Sequence, residues 1–164
     1  MPLTPTQLTA LKAHIAADPT LSALPNSTDG HIAVAALLNL TADPAFVVWR
    51  TGVSVDEMMS NGFDWTRVDN ATVGKARIWE WMMSRGVINP SKPNIRAGID
   101  EAWSGTGAEQ VAHRAGIYAH CKRAATRAER LFAAGTGTAQ SPGTMGFEGA
   151  VTPAEVETAR NLPA

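Results

Sequence analysis

The run A108-EQVAHRAGIYAHCKRAATRAERLF-AA134 decides the reading of this chain. It lies inside the longest proline-free stretch, residues 94–141, and is broken internally only by Gly116. Thr106 and Glu109 have capping-box spacing, and Gly135 stands where a helix C-cap belongs. Read as one helix it would be about 40 Å long at the rise of an α-helix. At about 100° per residue, Val111, Tyr118, Cys121, Ala125 and Phe132 share one face. His113, His120, Arg123, Arg127 and Arg130 share another. One face therefore belongs to a core, and the other is a basic stripe.

The 164 residues suit a domain with a sizeable core. Alanine is abundant and β-branched runs are scarce, which favours closely packed helices. The expected fold is all-α: a helical bundle organised on the long helix, covering residues 1–135. An extended glycine-rich C-terminal arm follows over 136–164 and ends in a short helix. A net charge of −1 excludes a general polycation, so attraction to an anionic partner must be local. Cys121 is alone and on the apolar face, so it reads as a buried, inert thiol. No apolar run approaches membrane-spanning length, and the first residues lack the pattern of a signal peptide. A soluble protein made in a reducing cytoplasm is expected.

Upstream, Thr4, Pro5 and Gln7 form a capping box with proline at N1, and Leu8, Leu11 and Ile15 make an apolar stripe. A second helix, from Thr28 or Asp29 to Leu40, would bury Ile32, Ala36, Leu37 and Leu40. Phe46 to Thr51 fits either a strand or a helix capped by Asp43. Ser54 and Glu57 start a short helix that Asn61-Gly62 would end. The helix from Ala71 to Arg85 carries Trp79 and Trp81 about 200° apart, so one faces a core and the other faces away. Ser91 would cap a helix reaching Trp103. After Gly135 the helical period stops. Met145 and Phe147 alternate, as an extended anchor would, and Thr152, Pro153 and Glu155 start the last helix.

Catalytic signatures are missing. His113 and His120 lie two turns apart, too far for one metal ion. There is no HExxH, CxxC, GxSxG or phosphate-binding loop, and no pair of carboxylates is placed across a cleft. The chain reads as a non-enzyme with no metal, cofactor or small-molecule substrate. The stripe residues Arg123, Arg127 and Arg130 suit carboxylates of a neighbouring subunit or nucleic-acid phosphates. No aromatic residue interleaves with them, which argues against single-strand stacking.

Four segments carry a resemblance: FVVWRTGVSVDEM from Phe46 to Met58, SKPNIRAGIDEAW from Ser91 to Trp103, RAATRAERLFAAGTGT from Arg123 to Thr138, and MGFEGAVTPAEV from Met145 to Val156. Their order and spacing resemble small helical proteins from the virion-structural modules of tailed bacteriophages. The resemblance implies a head-to-tail adaptor or connector at the head–tail junction, made in the host bacterial cytoplasm. Such a subunit would form a dodecameric ring below the portal and contact portal and tail proteins, with packaged DNA in the channel. Its C-terminal arm would reach a neighbour; the alternation of Met145 and Phe147 suits an anchor in a pocket on a neighbouring subunit or on the body of their own chain. The alternatives are a DNA-binding packaging protein such as a small terminase subunit, or a capsid decoration protein. The first is weakened by the loop at 20–30, too long for the turn of a helix-turn-helix.

Overall fold

The computed structural model describes residues 2–60 and 63–163. It overturns the all-α expectation. The chain is about 52% helix and 11% strand, with ten helices and three two-stranded sheets among the described residues. The expected end of the fourth helix at Asn61-Gly62 lies outside the described residues.

The elements follow one another as α1 (Pro5–Ala17), α2 (Pro19–Ser22), α3 (Thr28–Leu38), β1 (Val47–Trp49), β2 (Val53–Ser54), α4 (Val55–Met58), α5 (Thr66–Asp69) and α6 (Val73–Met83). Then come β3 (Val87–Ile88), α7 (Pro93–Ala102), α8 (Ala108–His120), β4 (Lys122–Ala124), α9 (Arg127–Phe132), β5 (Ala133–Ala134), β6 (Thr144–Met145) and α10 (Pro153–Arg160). The sheets pair β1 with β4, β2 with β3 and β5 with β6.

The single long helix does not exist. Its residues are divided among α8, β4, α9 and β5. The break has a local cause. Thr126 accepts from the Glu129 amide at 3.1 Å, and the Glu129 carboxylate accepts from the Thr126 amide at 2.9 Å. This capping box starts a new helix inside a sequence whose apolar period looks continuous. The residues before it are extended: the Ala125 amide donates to Phe46 O at 2.8 Å. The N-terminus of α8 also differs from the expected box, because Gly107 is the cap and no side chain bonds there. Lys92, rather than Ser91, caps α7.

The chain divides into two compact units, 1–48 with 124–164, and 49–123. Residues 136–164 belong to the first unit.

In the first unit α10 packs on α1 and α3 around Leu11, Leu21, Leu38, Val151 and Val156. The expected boxes at Thr4–Gln7 and Thr152–Glu155 both form. In α3 the buried row is His31, Val34, Ala35 and Leu38, while Ile32 and Leu40 are exposed, so the apolar face is one residue out of the expected phase. The C-terminal segment is tied down by polar contacts. Asn39 exchanges two hydrogen bonds with the Val151 backbone at 2.9 Å, and Arg160 donates to Leu21 O and Pro25 O at 2.8 and 2.7 Å. Gly137 has φ +67°, and a Cβ there would meet the Phe46 ring at 2.2 Å, so this turn requires glycine.

In the second unit the β2–β3 pair sets Val53 opposite Ile88, and α6 packs on α7. Its core joins Val53, Met58, Ile88, Ile99, Ile117 and Cys121 to an aromatic group of Phe63, Trp79 and Trp103. In α8 the buried residues are His113 and Ile117, with Cys121 as the C-cap. Val111, assigned to the core face by the sequence period, is exposed. Cys121 is fully buried, and burial pushes its thiol pKa up to about 12, which leaves it protonated and inert. No helix among the described residues is long and apolar enough to cross a membrane.

Candidate functional site

The three stripe arginines do not share a helical face. Arg123 is in β4, whereas Arg127 and Arg130 are in α9. Arg130 donates to Pro44 O at 3.0 Å and stands 5.9 Å from the centroid of the Phe46 ring. Arg127 is half-buried, and its Nε has no hydrogen-bond partner. Both line a depression of the first unit together with Asp18 and Asp43. Arginines and carboxylates are therefore mixed there, which suits a partner of mixed charge better than a run of phosphates.

Met145 and Phe147 both lie in the first unit. Met145 pairs with Ala133 across the β5–β6 ladder. Phe147 is 6% exposed and stands edge-to-face on Phe132 at 5.6 Å. A Cβ at Gly146 would meet Phe132 O at 2.6 Å, so glycine permits the close backbone approach that seats the phenyl ring. The side chain thus packs on the body of its own chain.

The second unit presents the more informative surfaces. Trp79 is 6% exposed in the aromatic core, and Trp81, two residues on, is 75% exposed. Ile78, Trp81, Met82, Ile95 and Gly98 line a shallow groove of about 270 Å³ along α6 and α7. Of the seven large hydrophobic residues exposed among those described, five belong to this unit: Trp65, Val73, Trp81, Val87 and Val111. A tryptophan held in water costs apolar hydration, and residues of this type anchor interfaces when covered.

A cavity of about 150 Å³ lies on the same unit, lined by Arg67, Thr72, Lys75, Trp103, Gln110 and His113 among others. His113 Nδ1 accepts the Asp64 amide at 3.3 Å, which assigns the ring proton to Nε2. That Nε2 and the indole Nε1 of Trp103 are both buried without a hydrogen-bond partner. The two rings meet edge-on at 4.5 Å. Burial lowers the His113 pKa and keeps the ring neutral; the Asp64 charge opposes this and the Arg67 charge adds to it. Arg67 is bonded to Asp64 and Glu109. Lys75 donates to the Ser104 hydroxyl.

No protein family, curated protein or solved structure matches the chain. Among the described residues, no group of three or more His, Cys, Asp or Glu side chains could hold a metal ion. The sequence placed His113 on the basic stripe. The four-residue row His113, Ile117, Cys121 was the available signal that it is a core residue. Nothing local indicated that Arg67 and Lys75, distant in sequence from His113, would join the same cavity.

Proposed function

We propose that the protein is a non-enzymatic structural component of a tailed-phage virion, an adaptor subunit of the head-to-tail junction that works by ring assembly. The exposed Trp81 with its apolar groove is the observation that carries this reading. A half-turn away on the same helix Trp79 fills the core, so the fold has a use for one tryptophan and offers the other to a partner. The four segments similar to virion-structural proteins support the class of assembly. The Arg127–Arg130 depression, with its mixture of charges, supplies a second, polar contact for a neighbouring subunit or the portal.

The test is assembly. Full-length protein co-expressed with the products of the genes flanking its own is expected to form rings visible by negative-stain electron microscopy. Trp81→Ala should fold with wild-type circular dichroism and change stability by less than about 0.5 kcal/mol, as an exposed substitution does, yet fail to form rings. Rings of normal yield from the variant would remove Trp81 from the interface. Absence of rings, combined with duplex binding that is sequence-specific and persists at high salt, would replace the proposal by a DNA-packaging role.

A further inference from the structure

We infer that the cavity between Trp103, His113 and Lys75 is a binding site for a carboxylate. This site is separate from the assembly role and lies within the second unit. Indole Nε1 donates and never accepts, and the tautomer assigned to His113 makes its Nε2 a donor as well. Both atoms are buried, both lack an acceptor, and both belong to rings that line the cavity. No aspartate or glutamate lines it. Lys75 adds an ammonium group whose hydrogen bond goes to a neutral hydroxyl, and it forms no ion pair among the described residues.

Two neutral donors thus lie buried in rings of the wall, and one cation borders a space of about 150 Å³. A cavity of about that size admits a benzene-sized molecule. A group with two acceptor oxygens and one negative charge completes these donors. The carboxylate can arrive as a free small acid, or at the end of an acidic chain segment of a partner; the recognition chemistry is the same.

Nitrogen-15 spectra of the full chain test the inference. The Trp103 indole resonance is assigned by its loss in Trp103→Phe. Sodium acetate, sodium succinate and a short peptide ending in aspartate are titrated at constant ionic strength against sodium chloride. A saturable shift of that resonance by acetate or succinate identifies a site for free acids. Saturation by the peptide alone identifies a partner's carboxylate. Lys75→Ala should weaken the response about tenfold, the worth of one charge-assisted hydrogen bond. It changes a half-buried side chain, so it keeps the test open if Trp103→Phe does not fold. A shift that never saturates with any probe, or one that Lys75→Ala leaves unaltered, overturns the site.

Discussion

The two units solve burial differently. The first has an aliphatic core of leucine, isoleucine and valine with Phe147 wedged in, and contains no tryptophan. Its buried carboxylate, Glu129, accepts from Thr126 and Gly149 amides. Segments from near both chain ends meet in it, as when the Glu155 carboxylate accepts the Leu3 amide at 2.8 Å. The second unit carries all five tryptophans. Two of them, Trp65 and Trp81, are exposed, and another, Trp103, has a buried N–H that nothing accepts. Aromatic side chains bury much area but carry polar atoms that need partners. A small core built from them leaves polar loose ends, and such ends are where a ligand finds a foothold. The second unit exposes most of the large apolar side chains, whereas the first holds the polar depression at Arg127 and Arg130.

The largest expected effect tests the aliphatic half of this contrast. Phe147→Ala removes a ring that is 6% exposed and should cost about 3–5 kcal/mol. Far-UV circular dichroism reports helices of both units, whereas tryptophan fluorescence reports the second alone. In urea the dichroism midpoint of the variant should fall well below its fluorescence midpoint. Equal shifts of both would make the chain one cooperative body and dissolve the contrast.

A smaller effect is expected at Glu129. Glu129→Gln keeps the shape but removes the charge and one acceptor oxygen from a site where two backbone amides converge. Hydrogen bonds to charged groups are worth roughly 1.5–3 kcal/mol, so a loss of about 1–3 kcal/mol is expected by the same dichroism measurement. A neutral outcome would show that the box at Thr126 does not need its carboxylate, and the explanation given for the break in the long helix would fail.

That break shows what the sequence could and could not disclose. Caps are local, so Thr4, Ser54 and Thr152 could be read from neighbouring residues. Trp79 and Trp81 separate because helical geometry alone sends them to opposite sides. Thr126 and Glu129 are equally local, but they sit inside an alanine-rich run whose period suits a continuous helix. The extended residues at Lys122 to Ala124 are held by pairing with β1, more than seventy positions earlier, which no local pattern reveals. The faces of α3 and α8 were misphased for a related reason. Each has apolar residues around more than half its circumference, and tertiary packing chooses His31 and His113 for the inside. The cavity was invisible because its donors come from α6, α8 and the end of α7, and the missing acceptors can be counted only once these elements are in place.

The smallest effect, and the one that bears most directly on the second unit, is a dependence of stability on pH. The folded pKa of His113 lies below the ordinary imidazole value of 6.5, because burial disfavours the charged ring. Between the lowered value and 6.5 the unfolded chain binds more protons than the folded one. Stability therefore rises with pH across that interval: the contribution is fully present above 6.5 and is lost as acid carries the pH down through it. The Asp64 charge, which favours imidazolium, limits the loss; Arg67 deepens it. Urea unfolding followed by tryptophan fluorescence should show a weaker second unit at pH 5.5 than at pH 7.5. His113→Gln has no proton to gain in this range, so its slope should be flatter whatever its absolute stability. A bound carboxylate at the two N–H donors would stabilise the folded form further and raise the curve at both pH values. Identical slopes for wild type and His113→Gln would mean that the ring is not desolvated in the folded protein, and the picture of an aromatic core with polar loose ends would lose its main support.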